Sequence, residues 1–264
     1  MLALMLRLPS ESYLGDLEKQ VDVDSIHHGR NRVERKIAQA LSDDFISMYH
    51  KLNTKVPYTP DALSIAKRSL KNVCLHYMML KASAESIELC KEQFNNADNM
   101  TDELSAFCAL AHSPKSSLRD VKTEAIARFY DKWKGEALVV NQWFSVQASS
   151  PAPDALSKVL ALMEHPAFDY KNPNKLRALI GGFVMRNPIN FHDSSGKGYV
   201  FLADQIIRLN DQNPQVASRL LKPLCSWGRY DENRQKLMKG QLERIAELDG
   251  LSSDVFELVT KSLK

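Results

Sequence analysis

The sequence predicts an all-α protein built as an irregular superhelix (solenoid) of antiparallel helix pairs, similar to HEAT and ARM repeats. Apolar residues recur at three- and four-residue steps through most of the 264 residues, and no run between turn residues alternates with period two. Roughly a dozen helices with short connections are too many to share one bundle core, so stacked helix hairpins bury their apolar stripes better. Because no repeat recurs at a fixed period, we expect the superhelix to be irregular.

The first half of the chain is divided into helices at proline and small polar residues. The opening MLALMLRLPS lacks the features of a signal or a membrane span, and we expect it to be the last turns of a helix that begins outside this sequence. Asp24 opens a long amphipathic pattern that we expect to continue as one helix to Asn53, and Thr59-Pro60-Asp61 starts the next helix. The predicted helices of this half are 24–53, 61–80, 83–94, 100–111 and 117–133.

Three Asn-Pro pairs mark helix starts in the second half, at Asn172-Pro173, Asn187-Pro188 and Asn213-Pro214. Proline at the first helical position loses no needed N–H, and the asparagine before it can supply a capping oxygen. Ser149-Ser150-Pro151 ends a helix, and a surface turn between helices is predicted at 194–198. The remaining predicted helices are 136–147, 154–163, 230–248 and 253–263.

Composition excludes several classes of partner. The 35 basic and 32 acidic residues are interspersed, so no one-signed patch predicts binding to nucleic acid. No segment predicts a membrane span or a targeting signal. The cysteines form no C-x-x-C pair, so we expect reduced thiols in the cytoplasm. These cysteines are Cys74, Cys90, Cys108 and Cys225.

The residues by themselves offer little catalytic chemistry. None of the seven histidines is followed by glutamate, so the chain lacks the H-E-x-x-H pattern of helical zinc proteases. His27 and His28 would point about 100° apart on a helix and make a poor chelate. The glycine-rich 194–198 loop lacks the order of a phosphate-binding loop. The sequence therefore favours a helical scaffold without a metal site.

Three polar residues near the Asn-Pro starts are the candidates for a functional site: Arg177, Gln215 and Arg219. An arginine in the first turns of a helix is poorly placed for the helix dipole. From periodicity alone, an ordinary salt bridge between helices is the favoured explanation of the arginines. Gly181-Gly182 inside a helical pattern favours close packing of helices over close approach of a ligand.

Seven strings in the chain resemble the C-terminal helical domain of bacterial aminopeptidase N, a family of monozinc gluzincin aminopeptidases. The resemblance runs from about Leu8 to the final KSLK, and it implies that residues 1–264 form one C-terminal α-helical domain. Departures within the strings are mild. The strings are KRSLKNVCL, NNADNMTDELSAF, YDKWKG, NPNKLRALIGGF, NPINFH, GYVFLADQI and NPQVASRLLKPL.

The resemblance implies that this chain is the non-catalytic part of a zinc enzyme that releases N-terminal amino acids from peptides. The family's G-A-M-E-N and H-E-x-x-H motifs are missing here, so the chain should bind no catalytic zinc and hydrolyse nothing alone. In the family this domain is a superhelical cap that closes over the catalytic domain and restricts entry to a chamber. The implied partners are the catalytic and β-domains of the same polypeptide, and peptide substrates. Arg177, Gln215 and Arg219 match positions that face the chamber, which makes them substrate-channel residues.

An alternative from a different class is a free-standing HEAT-like module that binds proteins or peptides on a concave face. The two hypotheses differ in what should precede Met1 in the gene. Upstream sequence containing H-E-x-x-H supports the aminopeptidase, whereas an independent start of translation at Met1 supports the module.

Overall fold

The computed structural model describes residues 1–54 and 56–264, and in this part of the chain all regular structure is helical, with no β-strand. The predicted all-α class is confirmed. Two compact units divide the chain. The first contains Met1–Ser10 and His27–Trp133, and the second contains Glu11–Ile26 and Lys134–Lys264.

Most of the predicted helices are present within a few residues of their expected bounds. In the described residues the α-helices are α1 (Leu2–Met5), α2 (Glu11–Asp16), α3 (Val23–Ala40), α4 (Ser42–Leu52), α5 (Ala62–Lys81), α6 (Ala84–Asn96), α7 (Met100–Ala111), α8 (Arg119–Trp133), α9 (Ala137–Ala148), α10 (Ala155–Met163), α11 (Pro173–Arg186), α12 (Pro188–Phe191), α13 (Lys197–Asn210), α14 (Pro214–Cys225), α15 (Glu232–Ala246) and α16 (Ser253–Leu263). Short 3₁₀ helices cover Ser116–Leu118 and Trp227–Arg229. Helix α2 was not predicted from the sequence.

The prediction of a single helix from Asp24 to Asn53 is wrong, because the structure divides this segment into two helices at Leu41. This residue has φ −109° and ψ 23°, outside helical values, although its N–H still donates to the Ile37 carbonyl. Asp43 and Asp44 then lie in the first turn of α4, where carboxylates stabilise a helix start. Apolar periodicity continues across the break, so the pattern alone did not reveal it.

In the first unit, α5 is central and packs against α1, α4, α6 and α7. The rings of Phe45 and Tyr77 stack at 4.7 Å between α4 and α5. Further along the unit, the rings of Phe107 and Phe129 stack at 4.3 Å between α7 and α8. Because these large side chains are almost fully buried, they supply much of the apolar area that stabilises this unit.

A buried polar network joins α5, α6 and α7 in the same unit. The ammonium of Lys71 donates to Asp102 at 2.7 Å, and the amide of Asn72 donates to the other Asp102 oxygen at 2.8 Å. Gln93 donates to the Asn72 side chain at 2.9 Å and accepts a hydrogen bond from Tyr49 at 3.0 Å. Each member has a partner, so the network can define helix positions without leaving a charge unpaired.

In the second unit, α9 and α11 pack side by side and run in the same direction. Ser145 donates to the Ala178 carbonyl at 3.0 Å, and one turn later Ala148 lies opposite Gly182. Since residue numbers rise together along both helices, the pair is parallel. The connecting helix α10 packs on both. This arrangement fixes the direction in which the first turn of α11 points.

The Asn-Pro starts are confirmed for α11 and α14, where the side chains of Asn172 and Asn213 cap the helices. Asn172 accepts from the Asn174 N–H at 2.9 Å, and Asn213 accepts from the Val216 N–H at 3.2 Å. Asn187 precedes α12 as predicted but does not cap it. Its buried amide donates instead to the carbonyls of Ala148 and Ser150, which ties the end of α9 to the start of α12.

A buried histidine and arginine join three segments of the second unit. His192 is hydrogen-bonded to the hydroxyls of Tyr199 and Tyr230, and its carbonyl accepts from Arg234 at 2.7 Å. Arg234 also donates to Asp24 at 2.6 Å. Burial lowers the pKa of His192 to about 3, with the positive charge of Arg234 as a second cause. The imidazole is therefore neutral and structural at ordinary pH.

The predicted turn at 194–198 is present, although α13 already begins at Lys197. Gly196 has φ 72°, in the left-handed region that favours glycine. All four cysteines are free, as expected. Burial raises the pKa of Cys90 to about 12 and of Cys74 and Cys108 to about 11, which makes these thiols poor nucleophiles. Among the described helices, none combines the length and apolarity that crossing a membrane requires.

Candidate functional site

The three predicted site residues lie on two helices that pack against each other in the second unit. Arg177 is on α11, and Gln215 and Arg219 are one turn apart on α14. All three side chains are exposed. The structure therefore places residues that are about 40 positions apart in the sequence on two helices that contact each other.

Glycines allow the close packing of helices around these residues. A Cβ at Gly182 would lie 3.2 Å from the Cβ of Ala148 on α9, which is a tight contact. At Gly181 the neighbour is Leu220 of α14 at 3.8 Å, an ordinary contact. The prediction of close helix packing at Gly181-Gly182 is confirmed, and the closer approach is at Gly182.

Neither arginine forms the salt bridge that periodicity favoured, within the residues that the structure describes. Arg177 folds back along its own helix, and its Nε donates to the Pro173 carbonyl at 3.2 Å. No partner is found for the Arg219 guanidinium in the described part of the chain. Both guanidinium groups therefore keep donors that can bind a carboxylate or a carbonyl oxygen.

Lys175 is a residue of the same region that the sequence analysis missed. It lies in the first turn of α11, two positions before Arg177, and it is buried. Its ammonium lies 5.4 Å from the centre of the Phe144 ring. The sequence signal was available, because a lysine in the first turn conflicts with the helix dipole in the same way as Arg177 does.

An aromatic cluster holds the segment that leads from α10 into α11. Phe168 contacts the ring of Phe144 edge-on at 5.9 Å, and Tyr170 contacts Phe168 edge-on at 5.5 Å. Arg208 of α13 stacks on the Tyr170 ring at 3.7 Å. These contacts bury the apolar side chains of a loop and so fix where α11 begins.

A cleft of about 540 Å³ in the first unit is a weaker candidate. Two of the strings that carry the family resemblance meet there, KRSLKNVCL through Lys71 and NNADNMTDELSAF through Asp102. These two side chains bind each other, and the polar groups around them are also paired. The cleft therefore lies over a structural network whose donors and acceptors are already used.

The chain offers no visible centre for metal chemistry in the residues described. No group of three or more His, Cys, Asp or Glu side chains is arranged to hold an ion there. The His27 and His28 rings contact each other edge-on, 5.6 Å apart. The polar candidates are thus cations and an amide on a helical scaffold, which can bind and position a ligand.

Fold and site together define a helical repeat domain whose exposed polar residues are suited to binding. The chain belongs to the DUF3458_C family, described as a domain of unknown function with ARM repeats, whose model matches residues 1–264. This family assignment agrees with the predicted superhelix of the HEAT/ARM type.

Curated relatives agree with the resemblance seen in the sequence. The chain is 40% identical over 263 residues to aminopeptidase N of Haemophilus influenzae, and 38% identical over 261 residues to aminopeptidase N of Escherichia coli. In both cases 99% of this chain matches 29% of the relative. The chain thus spans less than a third of these proteins, and it corresponds to their C-terminal, non-catalytic portion.

A solved structure supports the fold. The crystal structure of Legionella pneumophila aminopeptidase A in complex with aspartic acid matches with a TM-score of 0.88 and 32% sequence identity. The match covers 99% of this chain and 31% of that chain. The predicted membership in the aminopeptidase N family is confirmed, and the roles of Arg177, Gln215 and Arg219 stay predictions.

Proposed function

We propose that this chain is the C-terminal domain of a zinc-dependent cytoplasmic metalloaminopeptidase that releases N-terminal amino acids from peptides. Its role is to cap the catalytic domain, to form a wall of the substrate chamber and to limit access to it. The observation that carries this proposal is the match of 99% of the chain to only 29% of two aminopeptidases N. Zinc and the reacting groups belong to the catalytic domain of the parent enzyme, and residues 1–264 act together as one non-catalytic domain.

Apolar surface in the first unit supports contact with other parts of the same polypeptide. In α1, Leu2, Leu4 and Met5 are 61%, 69% and 73% exposed. Large apolar side chains adjacent on one short helix are typical of a surface that packs against another domain. In the proposed enzyme, the catalytic and β-domains cover this surface.

Arg177, Gln215 and Arg219 are proposed to contact the peptide substrate in the chamber. A guanidinium can donate two parallel hydrogen bonds to a carboxylate, and it can also donate to a peptide carbonyl. The amide of Gln215 offers both a donor and an acceptor, as a peptide backbone does. Their exposure and the lack of ion pairs for the two arginines in the described residues support this role.

Replacing Arg219 by alanine in the complete enzyme should weaken peptide binding more than it weakens cleavage of a single-residue arylamide. The arylamide is too short to reach a guanidinium on the chamber wall, whereas a peptide reaches it. Loss of one charge-assisted hydrogen bond corresponds to roughly a tenfold or greater rise in KM for the peptide. Steady-state kinetics with both substrates measure the difference.

The matched control for this variant is Arg35→Ala, which removes an exposed arginine from α3 in the first unit. It should leave both substrates unaffected. Equal losses on the peptide and the arylamide in Arg219→Ala would indicate a folding role and would contradict the proposal.

The isolated 264-residue chain should not hydrolyse alanyl or arginyl arylamides when zinc is added. The motifs that bind zinc and the substrate amine in the family are missing from its sequence. Release of arylamine by a homogeneous preparation, lost on chelation and restored by zinc, would overturn the assignment of this chain as non-catalytic.

A further inference from the structure

Lys175 differs from the other buried cations of this chain. Within the described residues, the cationic Lys and Arg side chains classed as buried are Lys71, Lys175 and Arg234, each 8% exposed. Lys71 binds Asp102 at 2.7 Å, and Arg234 binds Asp24 at 2.6 Å and Asp231 at 2.8 Å. For the ammonium of Lys175, no ion pair or hydrogen bond is found in the described part of the chain.

The surroundings of Lys175 explain only part of this arrangement. The Phe144 ring lies 5.4 Å from the ammonium, a distance at which cation–π attraction is worth roughly 0.5–2 kcal/mol. The ammonium nitrogen itself still reaches solvent, because it is not among the described side-chain nitrogens and oxygens that are completely buried without a partner. Burial lowers the pKa of Lys175, and the Asp169 carboxylate opposes this effect without contacting the ammonium. The Lys175 ammonium is therefore a partly buried cation with no anion in direct contact among the described residues, and a ligand can reach it from solvent.

The backbone at the same position also has an unused donor. In the first turn of α11, Pro173 has no N–H, the Asn174 N–H donates to the Asn172 side chain, and the Leu176 N–H donates to the Asn172 carbonyl. The Lys175 N–H has no acceptor among the described residues. The Cα–Cβ bonds of a helix tilt towards its N-terminus, so the Lys175 side chain leaves the backbone in the direction in which this N–H points.

We propose that the first turn of α11 binds a carboxylate group, which accepts hydrogen bonds from the ammonium and the backbone N–H of Lys175. A 14-residue helix adds the favourable field of its N-terminus to these two donors. Two donors match the two oxygens of a carboxylate.

A phosphate fits this site less well than a carboxylate. Its additional oxygens would stay unpaired, and its second negative charge would be repelled by the nearby Asp169. His165 adds no positive charge at neutral pH, since burial and the Lys175 charge both lower its pKa. The site thus provides one ammonium for one negative charge.

This site is separate from the proposed substrate contact at Arg177. Residues 175 and 177 are about 200° apart around an α-helix, so their side chains leave opposite sides of α11. Lys175 faces α9 through Phe144, whereas Arg177 is exposed. The carboxylate site does not depend on the chamber role of Arg177, and either proposal can fail alone.

The test is protection of Lys175 from amine acylation in the complete protein that contains this chain, measured by mass spectrometry. Three small ligands are compared. N-acetylalanine supplies a C-terminal carboxylate, and the α-methylamide of N-acetylaspartic acid supplies a side-chain carboxylate. N-acetylalaninamide supplies neither. A ligand that binds the ammonium, added at about ten times its Kd, should slow the acylation of Lys175 about tenfold. Lys171, exposed and four residues earlier, is the internal control and should react at an unchanged rate.

Protection of Lys175 by either carboxylate and not by the neutral amide supports the proposal, and the more effective of the two identifies the source of the carboxylate. Three outcomes would overturn the proposal. They are protection of Lys175 by the neutral amide as strong as by the carboxylates, protection of Lys171 as strong as that of Lys175, and no protection of Lys175 by either carboxylate at about 100 mM. Inorganic phosphate, tested in parallel, should protect less than the carboxylates. Lys175→Met should abolish the heat of binding of the protecting carboxylate in calorimetry.

Discussion

Replacing Gly198 by alanine should destabilise the protein by at least about 3 kcal/mol. A Cβ at this position would lie 2.2 Å from the Phe191 carbonyl oxygen and 2.9 Å from its carbon. These neighbours are backbone atoms, so no side-chain rotation relieves the clash and α12 must move away from α13. The free energy of unfolding from urea denaturation measures the effect.

Gly240→Ala is the matched control, since Gly240 lies inside α15 of the same unit with no heavy atom within 4 Å of its added Cβ. Alanine there should stabilise the protein by roughly 0.5–1 kcal/mol, through its higher helix propensity. A loss of less than about 1 kcal/mol in Gly198→Ala would show that the packing of α12 on α13 is not as close as described.

Replacing Asp102 by alanine should have the second large effect, a loss of roughly 3–5 kcal/mol in the free energy of unfolding. The change leaves the buried Lys71 ammonium without its partner at 2.7 Å, and it also removes the acceptor of the Asn72 amide at 2.8 Å. Unpaired buried groups keep the full cost of leaving water. Thermal or urea denaturation followed by circular dichroism measures the loss.

Two variants separate charge from packing in this prediction. Glu124→Ala removes one partner of the exposed Arg128 pair in the same unit, at 3.8 Å, and should change stability by less than about 1 kcal/mol. The double variant Lys71→Met with Asp102→Leu removes both charges together, so it should be more stable than Asp102→Ala. If the double variant is as unstable as the single one, the unpaired ammonium is not the cause.

Lys71 and Lys175 are alike in burial and different in partner, which links this prediction to the proposed carboxylate site. Asp102 supplies from within the chain the carboxylate that Lys175 lacks among the described residues. Asp102→Ala would leave the Lys71 ammonium with one long hydrogen bond, to the Asn53 side chain at 3.5 Å. The stability of the variant therefore measures what the loss of the partner carboxylate costs a buried ammonium in this protein.

The sequence predicted elements whose signals are local. The caps at Asn172 and Asn213 depend on residues within three positions of each other, so the chemistry that starts α11 and α14 is visible in the string itself. The break at Leu41 has no comparable marker, because the apolar pattern continues through it. Asn187 shows the limit of the Asn-Pro signal. Its side-chain amide donates hydrogen bonds to carbonyls about 40 positions away and does not cap the helix that follows it.

Taken alone, the sequence determined the helical class, most helix starts and, through its resemblance to a family, membership in the aminopeptidase N group. It also selected Arg177, Gln215 and Arg219. Only the tertiary structure decided which charges are paired: Lys71 with Asp102, 31 positions away, and Lys175 with no partner in the described residues. Local capping and periodicity act within a few residues, whereas burial and ion pairing depend on which helices pack together, and that is settled by the whole chain.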